Sequence, residues 1–366
     1  MSKKTNNAVR NPASDKGSFL TRPLVKVSRR AVRELALNKF FFQETIQNYI
    51  AVCLPDIATQ NIGDEIIASS VAKQLYSVFP SAFFVKFPTQ TQFGPRCLEF
   101  YNRAKYRFIG GSNLIGERVH ILPYYNQWDV SFFNAWKHRD AVLLGVGWHS
   151  YKSRPGCLAK LFYAPLLSRT WLHSVRDGFT EKQMRLLGYE NVINTACPTT
   201  WDLTPEHCAA IPREKRDCAV FTITDYARDP ELIRKMLEII RKHYAEVFFF
   251  QQGTKDLEYL LEISPDLSGI HVIQPTLAAY DALLEEKHPD FIGTRLHGGI
   301  RALQHSCRTL IFAIDNRAIE LSKDINLPVI ATDELPKLEQ ALTDGWEIAL
   351  RIPLDNIKKW KSQFQE

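Results

Sequence analysis

Short apolar runs alternate with helix-spaced stretches along most of this chain. The first apolar run is Tyr49–Leu54, followed after a polar loop by a helical pattern over Glu65–Ser77. Ala82–Val85, Tyr106–Ile109, Ala141–Val146 and Thr170–Val175 read as further strands, and Thr180–Leu187 as a helix. The pattern then restarts. Cys218–Ile223, Val247–Phe250, Phe291–Ile292, Leu310–Ile314 and Pro328–Ile330 read as strands. Between them, Pro230–His243, Leu277–Glu286 and Gly298–Gln304 read as helices. Strands that are apolar throughout, separated by amphipathic helices, indicate α/β architecture with parallel sheets covered on both faces. The expectation is two Rossmann-like doubly wound halves facing a cleft, over 46–205 and 215–366, with a polar, proline-containing boundary near Thr204–Arg216. A length of 366 residues fits two domains of roughly 150.

Residues 1–45 stand apart. This segment holds ten Lys/Arg against three Asp/Glu, a charge of +7, so the rest of a +6 chain is close to neutral. It reads as a basic, partly disordered arm with a short helix in which Val32, Leu35, Ala36 and Phe40 have helical spacing. Such an arm is a candidate for weak contact with an anionic membrane surface. No stripe of base-stacking aromatics accompanies the charge, so nucleic acid is not an expected partner. The stretch Met1–Gly17 is polar and no apolar run approaches the roughly 20 residues of a membrane helix. A cytoplasmic protein, working at most at the inner face of a membrane, is expected. The seven cysteines are scattered without a C-x-x-C pair, so neither a disulfide framework nor structural zinc is expected.

Candidate chemistry gathers where strands end. In Asp290–Gln304 an apolar strand ends at Ile292, and Arg295, His297 and Gly298-Gly299 lead into a helix. Glycines let backbone approach a ligand, and helix N–H groups favour an anion. Arg295 could clamp a carboxylate or phosphate, and His297 could move a proton. The alternative is a tight turn with Arg295 in a structural ion pair. Arg176-Asp177 follows Thr170–Val175 in the same way, with Asp177 readable as a helix cap and Arg176 as a ligand contact. Asn61 and Asp64 precede the first long helix and are candidate substrate contacts, although capping alone would explain them. Gly110, Gly111 and Ser112, and His149 after the Gly145/Gly147 pair, line the same expected rim. His120, His138 and His173 read as surface or core-edge residues. The glycines do not complete a dinucleotide fingerprint, and no dense His/Cys/Asp cluster appears, so no cofactor and no metal are expected.

Four blocks carry a resemblance. NIGDEII, FIGGSNL, SVRD with LLGYENV, and GTRLHGGIRALQ followed by TLIFAIDNR resemble, in order from Asn61 to Arg317, the motifs of the polysaccharide pyruvyl transferases. The resemblance implies a GT-B-like fold and phosphoenolpyruvate as donor substrate. It also implies a sugar or lipid-linked oligosaccharide as acceptor, and a ketal-linked pyruvate as product. Carried over by motif, Arg295 and Arg176 would hold the donor's carboxylate and phosphate, and His297 would be the general acid. One departure stands out. Many members have Asp-Pro-Ala after the middle motif, and this chain has Ala196-Cys197-Pro198. That loop is expected to border the acceptor. The competing readings are a glycosyltransferase of the same architecture using a nucleotide sugar, with Gln251-Gln252-Gly253 and Asp281 near the base, and a non-catalytic polysaccharide-assembly protein.

Overall fold

The computed structural model describes residues 45–119, 127–151 and 154–365. The expected arm, its short helix and His120 lie outside them. From Gln43 onward the chain is one compact unit, built on two parallel sheets.

The first sheet has the order β2-β1-β3-β4, with β1 at Ile46–Leu54, β2 at Phe83–Pro88, β3 at Ala104–Gly110 and β4 at Ala141–Leu144. A parallel pair, β5 (His173–Val175) and β6 (Val192–Asn194), extends it. Gly145 N–H donates to the Ser174 carbonyl at 3.0 Å, and Val146 bridges Val175. The second sheet has the order β12-β11-β10-β7-β8-β9. Its strands are β7 (Cys218–Thr222), β8 (Glu246–Phe249), β9 (Ile270–Val272), β10 (Asp290–Gly293), β11 (Thr309–Ala313) and β12 (Val329–Ala331). This is the doubly wound order, in which chain direction across the sheet reverses between β7 and β10 and opens a crevice at their carboxyl ends. In the first sheet the reversal lies between β1 and β3.

The strands follow from composition. β7 and β10 are buried along their whole length, as a parallel strand sandwiched between helix layers must be. Strand ends depart from the apolar runs where packing intervenes. Ala141–Val146 reads as one strand, yet β4 stops at Leu144. Gly145 has φ +63° there, and a Cβ on it would collide with the ring of Pro198. Several elements escaped the periodicity, including the helices Pro95–Arg103, Asp256–Ile263, Asn316–Ile325 and Pro336–Asp344; among the shortest are β6, β9 and the helix Cys157–Tyr163. With three to seven residues each, these last three carry too few positions for a period to show.

The helix α1 (Ile62–Val78) begins three residues earlier than its apolar spacing suggests, because Asn61 caps it by accepting from Gly63 N–H at 3.0 Å. The last helix, Leu354–Ser362, is a correction to the expected extent of the second half. Its Trp360, with Phe364 beyond it, packs against Phe108 of β3, and Trp360 also meets Trp201 in the loop after β6. Trp360 is fully buried there. A late aromatic helix finds its apolar partner on the other sheet, so the chain crosses back.

Candidate functional site

The loops at the carboxyl ends of both sheets meet along one seam. Its fasteners come from α1 and from the loop after β8. Ile62 N–H donates to the Gln252 carbonyl at 2.9 Å, and Thr254 N–H to the Gln60 carbonyl at 3.2 Å. Gln252 Nε2 donates to Asn61 Oδ1 at 2.9 Å. Asn61, expected as a substrate contact, is therefore committed to capping α1 and joining the halves. The glycines serve similar ends. A Cβ on Gly298 would lie 2.9 Å from Gln252 Oε1, and one on Gly299 2.7 Å from Ile311 Cδ1. One on Gly110 would lie 2.6 Å from Val71 Cγ1, and one on Gly111 would collide with Ile67. These four glycines bring helices onto strands. Ser112 Oγ donates to Gln127 Oε1 at 3.1 Å, and its carbonyl accepts from Gly147 N–H at 2.8 Å. His149 is exposed at the rim, with its N–H on the Ile115 carbonyl at 2.7 Å.

Arg295 is the N-cap residue of α9, the helix Leu296–Gln304. The expected anion clamp is corrected by its surroundings. Its guanidinium pairs with Asp256 through Nη2 and, at 3.0 Å, through Nε. Nη2 also reaches Asp225 Oδ1 at 2.9 Å, and Nε the Ile223 carbonyl at 3.1 Å. Two carboxylates offset one cation, so the ion-pair alternative describes Arg295. It ties the loops after β7 and β8 to β10.

His297 lies in the first turn of α9, two residues later, and is 4% exposed. Burial, followed by the charges of Arg317 and Arg176, pushes its pKa down to about 3. It is neutral at pH 7, contrary to a resident general acid. Its Nε2 is 3.9 Å from Cys197 Sγ, which accepts from Thr199 Oγ1 at 3.0 Å. The loop that departs from the family pattern thus borders the histidine.

Arg176 reaches the same place from the first sheet, 1% exposed. Its Nη2 donates to Asn113 Oδ1 at 2.6 Å and to Tyr151 Oη at 3.1 Å. Asp177 caps α4 (Gly178–Leu186) through Thr180 N–H at 2.7 Å, as the capping reading expected, and accepts from Tyr151 Oη at 2.7 Å.

Arg317 approaches from the second half, in the first turn of the helix Asn316–Ile325. It pairs with Asp315, with Nε at 2.9 Å from Oδ2, and its Nη2 donates to Tyr226 Oη at 2.9 Å. Arg317 and Arg176 both act electrostatically on His297 and on each other. Arg317 was missing from the candidates. Its signal was present in the sequence: Asp315-Asn316-Arg317 ends an apolar strand and opens a helix, as Arg176-Asp177 does. Asn113 sits in the FIGGSNL block directly after the Gly110–Ser112 candidates, whereas Tyr151 and Tyr226 carry no such local signal.

Asp64 completes the group from the N-terminus of α1. It is 8% exposed and accepts from Thr59 Oγ1 at 2.5 Å. Burial raises its pKa to about 6 against the pull of the Thr59 hydroxyl and of Arg317 and Arg295. The seam therefore holds a neutral histidine, two arginines from opposite halves and a carboxyl that gains its proton near pH 6. Among the described residues no His/Cys/Asp/Glu cluster could hold a metal ion, and no helix is long and apolar enough to cross a membrane.

The family model for polysaccharide pyruvyl transferase matches residues 61–316. The chain belongs to the polysaccharide pyruvyl transferase family. The match opens on Asn61 and closes one residue before Arg317, so it spans both halves of the seam. No curated protein sequence matches the chain. Among solved structures it is similar to a UDP-GlcNAc 2-epimerase of Methanocaldococcus jannaschii solved with UDP-GlcNAc and UDP. That pair shares 10% identity, covers 87% of this chain and 98% of the other, and has a TM-score of 0.48. It is also similar to a putative UDP-N-acetylglucosamine 2-epimerase of Listeria monocytogenes, with 11% identity, 87% and 91% coverage and a TM-score of 0.46. For this pyruvyl transferase family member, the GT-B-like fold rests on its two parallel, doubly wound sheets.

Proposed function

We propose that the protein transfers a pyruvyl group from phosphoenolpyruvate to hydroxyls of a sugar, in a polysaccharide or its lipid-linked precursor, and closes a ketal. The observation that supports this reading is His297, neutral and buried, beside Arg176 and Arg317 from opposite halves. A donor with a carboxylate and a phosphate suits two arginines, and its negative charge would offset the two cations that add to burial in holding the His297 pKa down. Arg176 and Arg317 would bind the two anionic groups. One sugar hydroxyl adds to the donor's central carbon, and its proton passes to His297. The methylene carbon becomes a methyl group by taking the proton of Asp64. The bond from the central carbon to the phosphate oxygen then breaks. The second hydroxyl adds to that carbon, its proton leaves with inorganic phosphate, and His297 returns its proton to Asp64 through solvent.

Binding is testable by melting temperature, because a ligand that binds only the folded state must raise it. Phosphoenolpyruvate at about a hundred times its Kd should raise Tm by about 5 °C. The shift should vanish in Arg317→Ala, and UDP should give none. A shift with UDP and none with phosphoenolpyruvate would favour a nucleotide-sugar transferase.

The role given to Asp64 fixes a pH dependence. An acid with a pKa raised to about 6 supplies its proton below that pH and loses it above. The kcat/KM profile, which reports groups of the free enzyme, should fall as pH rises through about 6. Asp64→Asn should be slow and flat across the same range. A wild-type profile level from acid to neutral pH would remove Asp64 as the acid.

A further inference from the structure

Three buried arginines at the second sheet and the seam differ in the charge of their partners, whereas Arg107 on β3 bonds the Tyr101 and Asn102 carbonyls with Asp140 3.8 Å away. Arg308, fully buried at the foot of the second sheet, is paired with Asp290 through both Nε and Nη2. Arg295 has Asp256 and Asp225. Arg176 is as buried as either, yet the oxygens nearest to it are neutral: Asn113 Oδ1 at 2.6 Å and Tyr151 Oη at 3.1 Å, both on Nη2. The nearby carboxylate of Asp177 stays 3.5 Å from Nε. It is held back by its own bonds, one oxygen to Thr180 N–H and Oγ1, both at 2.7 Å, and the other to the Tyr151 hydroxyl at 2.7 Å. The neighbouring loop is shaped for this arrangement. A Cβ on Gly147 would collide with the guanidinium and lie 2.9 Å from Asn113 Oδ1.

Burying a cation without a tight anionic partner is costly, and an Asp at position 113 would supply that partner with nearly the same shape. We propose that Asn113 and Tyr151 are positioning residues that fix the Arg176 guanidinium while holding the Asp177 carboxylate off at 3.5 Å, so that its charge is only loosely paired and a bound anion completes the balance. Asn113 gives the acceptor oxygen without the charge. Tyr151 stands between Arg176 and Asp177, accepting from one and donating to the other. The inference rests on the donor reading above, in which Arg176 meets an anionic group of the substrate.

The decisive substitution is Asn113→Asp, which keeps the acceptor oxygen and adds a charge. It should weaken binding of phosphoenolpyruvate and of inorganic phosphate, measured by calorimetry on the full chain, by about tenfold or more. KM for the donor should rise in step, kcat should change less, and Tm should hold or rise. Asn113→Ala, which loses a bond and adds no charge, should weaken binding less. A merely structural role predicts the reverse order, with Asn113→Asp close to wild type and Asn113→Ala impaired, and that order overturns the proposal. Should Asn113→Asp not fold, Tyr151→Phe tests the same point by letting Asp177 close on the guanidinium. Reduced phosphate affinity supports the proposal, and unchanged affinity overturns it. If the wild type binds phosphate and not phosphoenolpyruvate, the donor reading fails and the phosphate comparison still decides the role of Asn113. If it binds neither, both fall.

Discussion

Replacing His297 by Gln should lower turnover by about 10²–10⁴-fold, the range for a placed proton carrier, with the fold intact. Gln fills similar space and keeps hydrogen-bonding capacity, but it cannot accept and return a proton. The two arginines beside it are untouched, so donor KM should change much less than kcat. The same variant carries a signed stability effect. The His297 pKa is lowered in the folded protein to about 3, whereas an unfolded histidine titrates near 6.5. Between those values the unfolded chain binds the extra proton, so the wild type loses stability as pH falls through that window. His297→Gln removes this contribution and should lose less stability than the wild type on acidification. Single-turnover kinetics at pH 7 and denaturant melts at neutral and acid pH check both parts. Wild-type turnover would end the assignment of His297 as proton carrier.

Arg295→Met should instead act on the fold. Arg295 is 4% exposed, and its loss leaves Asp256, fully buried, and Asp225 without their cation. Breaking a buried pair by removing one partner costs about 3–5 kcal/mol. The Asp256 pKa is already raised by burial, with Arg295 pulling the other way. Without the arginine it rises further, so the folded variant binds a proton that the unfolded chain has released. Stability of the variant then falls as pH rises through that raised pKa, and its deficit against wild type should be largest at neutral pH and shrink in acid. Equilibrium urea unfolding across pH measures it. A stable Arg295→Met protein with donor binding lost would return Arg295 to the role of anion clamp.

The sequence was most legible where one local rule suffices. The apolar runs of β7, β10 and β11 and the helical spacing of Pro230–His243 depend only on neighbours in the chain, because a strand buried on both faces must be apolar throughout. Arg176 and His297 were legible for a related reason, since a polar residue directly after such a run falls at a sheet's carboxyl edge. What stayed hidden was the charge balance around each arginine. Arg295 and Arg176 look alike as strand-end arginines, yet one meets Asp225 and Asp256 and the other Asn113 and Tyr151. Those partners lie 25 to 70 residues away along the chain.

The sequence by itself therefore determined the α/β architecture, the strand ends at which a site could form and the family motifs that occupy them. The tertiary structure decided which side chains surround each arginine, that His297 is neutral and faces Cys197, that the Asp64 pKa is raised to about 6 while that of His297 is lowered, and that the last helix crosses to the first sheet. Backbone conformation follows largely from local sequence. Charge state and hydrogen-bond partnership follow from burial and from what distant loops bring within 3 Å, and only the folded seam supplies those.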